Sequence, residues 1–268
     1  MSGTVRYLYG IAEAAPGLSD GVAGVRGVGG APVRAVADRE VAAVVSDVPA
    51  ADFEEEPLAA HLEDLTWLEA VARAHHGVVD AVAAHTTVLP LRLATVYRDD
   101  AGVRAMLAAG RAEFLPRLAR LAGHVEWGVK VFFVPPAAAP PAASAPPAEE
   151  GLSPGRSYLR TRRHERHTWD SAYREALAAA ERVHTAARSR AVEHTRHRVQ
   201  QGPLVQGPLE NIANHAYLVA AEMSDAFRAA VEEAAAGTEV VHAEVTGPWA
   251  PYSFAAAPAA PGREASAG

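Results

Sequence analysis

The sequence predicts an α+β fold in two domains. Short runs rich in Val, Tyr, Leu and Ile alternate with stretches whose apolar residues recur every three or four positions. The 268 residues suit one large domain or two small ones. A Pro- and Ala-crowded stretch at 135–150 breaks the pattern and separates residues 1–134 from 151–254.

Residues 4–11 alternate and read as a strand. The Gly-rich stretch 17–31 reads as a loop with a short helix. Residues 33–37 and 41–47 are β-branched runs about a turn at Asp38-Arg39, the pattern of a hairpin. From Pro57 to Ala84 apolar residues, His75 among them, recur at helical spacing, with Asp52 and Glu54 to Glu56 placed to favour the helix N-terminus. Residues 86–97 are extended around Pro90. A second helix covers about 100–122, and Pro116 is expected to kink or split it. Residues 125–134 are nearly all apolar and suit a central strand.

Beyond the Pro/Ala segment, residues 153–199 read as a helical stretch. Trp169, Tyr173, Ala176, Ala180, Val183 and Ala187 make one narrow apolar seam. Gly202-Pro203 and Gly207-Pro208 punctuate a turn. Residues 212–223 read as a strand, and 224–236 as a helix capped by Ser224 and stopped by Gly237. Residues 238–246 read as a strand, and 255–268 as a disordered tail.

Composition narrows function. The net charge is -7, which argues against a dedicated nucleic-acid binder. With no cysteine, zinc–thiolate sites, iron–sulfur clusters and cysteine nucleophiles are excluded. The only lysine is Lys130, and no phosphate-cradling GxxxxGK[ST] loop is present. No signal peptide or membrane span is visible, so a cytoplasmic protein is expected.

No catalytic, cofactor-binding or metal-binding residue is assigned. His164 with His167, and His194 with His197, stand three apart, as a helical metal pair would, but no acid completes either set. Segment 156–198 carries eleven Arg against five acids, densest at Arg160, Arg162, Arg163 and Arg166. Such a surface can grip an acidic partner or simply be a solvated face. In GPWAPYSF (247–254), Pro248 and Pro251 hold Trp249, Tyr252 and Phe254 in a rigid extended segment. These aromatics can pin the segment to its own domain or form a binding patch.

Taken together, several motifs resemble the GvpL/GvpF family of gas vesicle proteins. They are the opening strand ending Tyr9, Gly10 and Ile11, HTTVLPLRLATVYRD at 85–99, EWGVKV at 126–131, SYLRTRR at 157–163, NHAYLV and GPWAPYSF. They span residues 4–254 in the family's order. Leu93-Ala94 departs from it, standing where members more often carry an aromatic and a glycine. The resemblance implies a first domain like a modified ferredoxin-like fold and a second of helices with a small sheet. It implies a non-enzymatic accessory or minor structural protein, associated with gas vesicles, that binds the shell protein and other accessory proteins during assembly. The candidate partner-binding residues are Pro90, Arg92, Arg160, Arg162, Arg163, Arg166, Trp249, Tyr252 and Phe254. The alternatives are a nucleic-acid-binding or regulatory protein using the Arg-rich helix, or a His-based metal-binding protein.

Overall fold

The computed structural model describes residues 3–53, 57–58, 61, 63–136, 154–199 and 209–255. The chain divides into two compact units, Met1–Glu126 with Pro248–Gly268, and Trp127–Gly247. The segment from Pro248 therefore groups with the first unit, whereas the sequence placed it with residues 151–247. Residues 137–150 of the 135–150 linker, the two Gly-Pro turns and tail residues 256–268 lie outside the described residues.

In the first unit, β1 (Thr4–Glu13) pairs antiparallel with β3 (Val41–Pro49) on one side. On the other it pairs with β4 (Val88–Pro90) and β5 (Val96–Tyr97). β2 (Val33–Asp38) completes the order β2-β3-β1-β4. Helix α1 (Pro16–Val22) joins β1 to β2; α2 (Ala50–Phe53) and α3 (Leu65–Ala83) join β3 to β4. The succession is the βαββαβ of ferredoxin-like sheets. To it is added α4 (Asp100–Leu121), which packs on β1 to β4.

Six consecutive residues of β1, Tyr7 to Ala12, are buried, so both faces of the strand are covered. The register shifts between Leu8, opposite Val45, and Gly10, opposite Val44, which leaves Tyr9 as the extra residue of a β-bulge. Because the bulge reverses the alternation, Tyr7, Tyr9 and Ala12 all enter one core with Val71, Val78, Val79 and Val82 of α3. Asp64 caps α3, accepting from the Thr66 and Trp67 amides. Helix α4 runs unbroken through Pro116, contrary to the expected split. Pro116 and Ala112, whose carbonyl loses its partner, both face solvent, where water replaces the missing bond.

The second unit holds a sheet of order β7-β8-β6-β9, formed by β6 (His124–Phe133), β7 (Glu193–Arg196), β8 (Glu210–Ala220) and β9 (Val241–Trp249). Helices α5 (Pro154–Arg188) and α6 (Ser224–Ala235) pack on each other and on β8. Helix α5 stops at Arg188, eleven residues short of the sequence expectation. Residues 193–196 pair with β8 instead. His194 is therefore on a strand, and the proposed His194/His197 helical pair does not exist. Ser224 is also not a cap; its Oγ accepts the Trp127 indole N–H at 3.3 Å. No helix among the described residues is long and apolar enough to cross a membrane.

Candidate functional site

Helix α3, the turn after β4 and the C-terminal segment converge in the first unit on an open cleft of about 460 Å³. Ala72, His75, His76, Leu91, Leu93 and Tyr252 line it, with the exposed Arg92 at its edge. The turn is tight: Thr95 donates to the Arg92 carbonyl through its hydroxyl at 2.7 Å. Ala94 adopts φ 59°, the left-handed region that favours glycine.

That turn is tied to the core. The Ala94 amide donates to the Tyr7 hydroxyl at 3.1 Å, and the Tyr7 oxygen stands 3.1 Å from His75 Nδ1. With one proton and two lone pairs, the Tyr7 hydroxyl can pair with Nδ1 in either imidazole tautomer. Nε2 has no hydrogen-bond partner, although His75 is only 3% exposed. Burial pushes this imidazole down to about 4, opposed by the nearby Leu91 carbonyl. His75 is thus a neutral core histidine at neutral pH, with one ring nitrogen unpaired.

His76, the next residue, faces outward. Its Nδ1 lies 3.3 Å from the Tyr252 hydroxyl and its Nε2 lies 3.4 Å from Asp80. Its ring stacks on Tyr252 and sits 5.3 Å from Trp249. Burial, and then the Asp80 carboxylate, push the Tyr252 phenol up, so it stays protonated.

The C-terminal segment is held from beneath. Glu126 accepts the Ser253 amide at 2.7 Å and the Ser253 hydroxyl at 2.6 Å, and Arg120 donates to the Phe254 carbonyl. Ala250, Pro251 and Phe254 are buried. Of the sequence candidates, Arg92 and Tyr252 meet at the cleft, and Trp249, 40% exposed, lies beside it against His76. Pro90 is buried opposite Gly10 in the β1–β4 ladder, and Phe254 is core. Neither offers a free surface. Ala72 and His76 were not singled out by the sequence; the helical spacing of 72, 75 and 76 was the available signal.

The other candidates, Arg160, Arg162, Arg163 and Arg166, lie in the second unit on α5, all exposed. Arg162 is 3.6 Å from Glu165. Further along α5, His184 stacks on His215, adjoins His194 and places its Nδ1 2.7 Å from the Tyr217 hydroxyl. Desolvation pushes His215 down to about 4, helped by His184 and Arg196. His164 and His167 are exposed. Among the described residues no group of three or more His, Cys, Asp or Glu is placed to hold a metal ion.

Comparison with known proteins follows the same outline. The family described as "Gas vesicle synthesis protein GvpL/GvpF" matches residues 5–256. Gas vesicle protein L of Streptomyces sp. (strain CB03234) is 43% identical over 251 residues, 94% of this chain and 92% of that protein. Gas vesicle protein F2 of Halobacterium salinarum is 28% identical over 264 residues, 95% of this chain and 93% of that protein. The crystal structure of GvpF from Anabaena sp. PCC7120 superposes with a TM-score of 0.64 at 17% identity, covering 96% of this chain and 98% of that one. GvpF from Microcystis aeruginosa gives 0.63 at 19% identity, over 94% and 99%. The resemblance of motifs, the mixed helix and sheet, and the end-to-end match agree: the chain belongs to the GvpL/GvpF family of gas vesicle synthesis proteins.

Proposed function

We propose that this chain is a non-enzymatic assembly factor of gas vesicles, which binds the shell subunit and other accessory proteins in the cytoplasm while the shell is built. Family membership supports the gas vesicle role. The observation that carries the binding role is the cleft of the first unit. Its walls are apolar and aromatic, and the exposed Arg92 guanidinium at its edge is a donor only. Such a cleft suits an apolar segment whose backbone carbonyls or carboxylates need partners. A subunit destined for an apolar-lined wall exposes such segments before assembly. The aromatic rim, Trp249 above all, is the kind of surface that concentrates binding energy.

The test is affinity of the full chain for the purified shell subunit. Deleting residues 247–268 would remove buried Ala250 and Phe254 and the anchor of Ser253, so point variants are required. Trp249→Ala and Arg92→Ala, both at exposed positions, should each weaken binding about tenfold while circular dichroism stays unchanged. A wild-type chain that does not bind the subunit overturns the reading.

A further inference from the structure

Helix α5 is longer than the core it serves. Its 35 residues extend about 52 Å. Going toward its C-terminus, the first buried side chain among the described residues is Ala172, and the seam continues through Ala176, Ala180, Val183 and Ala187. Before it, every described side chain from Arg162 to Ser171 is exposed, on every face. Arg162 to Ser171 thus amount to about 15 Å of helix with no buried side chain.

One face of the overhang is not uniform. Arg162, Arg166, Trp169, Tyr173 and Leu177 follow one another at steps of four, three, four and four, and so form a stripe. Trp169 is 43% exposed and Leu177 46%. Trp169 and Tyr173 stack at 5.0 Å, edge-on to the buried Phe133, which fixes them in place. Two guanidinium groups thus lead into a rigid aromatic and aliphatic strip.

The same chain carries the complement. Residues 50–72 contain seven carboxylates and no Lys or Arg. At the start of α3, Leu65 is 77% exposed, the most exposed of the large apolar side chains described; Glu63, Asp64 and Glu69 beside it are exposed, Asp64 capping the helix and Glu69 paired with Arg73. An apolar side chain ringed by carboxylates faces water in one place, and an apolar strip led by arginines in the other. We propose that the α5 stripe of one copy receives the acidic first turn of α3 of a second copy, Leu65 against Trp169, Tyr173 and Leu177, and carboxylates against Arg162 and Arg166. The two patches differ, so the contact is heterologous and a third copy can add to the second. The charged part of the contact weakens as salt rises.

Sedimentation equilibrium of the full chain tests this. In about 20 mM salt the wild type should self-associate, and at about 500 mM salt its association should weaken at least tenfold. Arg162→Glu/Arg166→Glu and Glu63→Arg/Glu69→Arg, all at exposed positions, should each be monomeric with unchanged circular dichroism. Mixed in equal amounts they should associate again, because the intact acidic turn of one variant meets the intact stripe of the other. A wild type that stays monomeric at low salt, an association indifferent to salt, or two variants that do not combine on mixing would each overturn the proposal.

Discussion

Gly27 lies so close to Tyr9 that a Cβ on Gly27 would stand 2.0 Å from the phenolic oxygen. That oxygen also accepts the Val28 amide at 2.8 Å and shares a 2.6 Å hydrogen bond with the Ser46 hydroxyl. The glycine is required by approach, since its backbone is in the ordinary extended region. Gly27→Ala should cost about 2–3 kcal/mol in urea unfolding. In a Tyr9→Phe background, where the oxygen is gone, the cost should be clearly smaller; equal costs in both backgrounds would contradict the assignment.

Ala94 should prefer to be glycine. It holds φ 59° while its amide bonds the Tyr7 hydroxyl. Ala94→Gly removes the steric penalty of the left-handed region, about 1 kcal/mol, offset in part by the greater freedom of glycine when unfolded. The net expectation is a gain of about 0.5 kcal/mol in thermal or urea unfolding. A loss of stability would mean that the turn is not strained.

Asp100 sits between Arg34 at 2.8 Å and Arg6 at 2.6 Å, and Arg34 also reaches Asp47. The guanidinium of Arg34, then that of Arg6, hold its carboxyl down to about 2. A depressed acid adds stability above its unfolded value near 3.8, and that stability is lost as pH falls from about 4 to about 2. Asp100→Asn should cost about 1 kcal/mol at pH 7, since the carboxylate is partly solvated, and almost nothing at pH 2. Unfolding curves at the two pH values distinguish this from a purely packing role.

The imidazoles of the second unit act at higher pH. His215 is pushed down to about 4 by burial and then by His184, and His184 is lowered by burial and then by His194. His194, His197 and Arg196 on and beside β7 oppose protonation of His215; Glu181 and Arg188 on α5 act on His184 in opposite senses. A lowered base favours the fold while neutral, so stability is full above about 6.5 and falls as pH drops from 6.5 toward 4. His215→Gln should flatten that slope in denaturation followed between pH 7 and 4.5. An unchanged slope would assign the acid sensitivity to His75, which is pushed down to about 4 in the first unit.

Local patterns proved readable where one element decides its own fate. The alternation of β1, the β2–β3 hairpin and the Asp100–Leu121 helix follow from periodicity and capping. The bulge at Tyr9 did not, because one extra residue leaves the composition of a strand intact. β7 was hidden for another reason. Glu193 to Arg196 look like more of the charged helix before them, and only pairing with His215 to Leu218 makes them a strand. The same pairing, not spacing, gathers His184, His194 and His215. Arg92 and Tyr252 were both visible as candidates, yet 160 positions apart nothing in either motif says that they share a cleft.

The order in which the ribosome delivers these residues matters for the cleft. The strands and α3 of the first unit are made early, but Trp249, Tyr252 and the buried Phe254 emerge only after residues 127–247. At ordinary elongation rates that delay is on the order of ten seconds. During it the nascent chain presents α3 with His76 but no Tyr252 to stack on it. A cleft made in two instalments is finished only once Trp249 and Tyr252 have followed the whole of the second unit out of the ribosome.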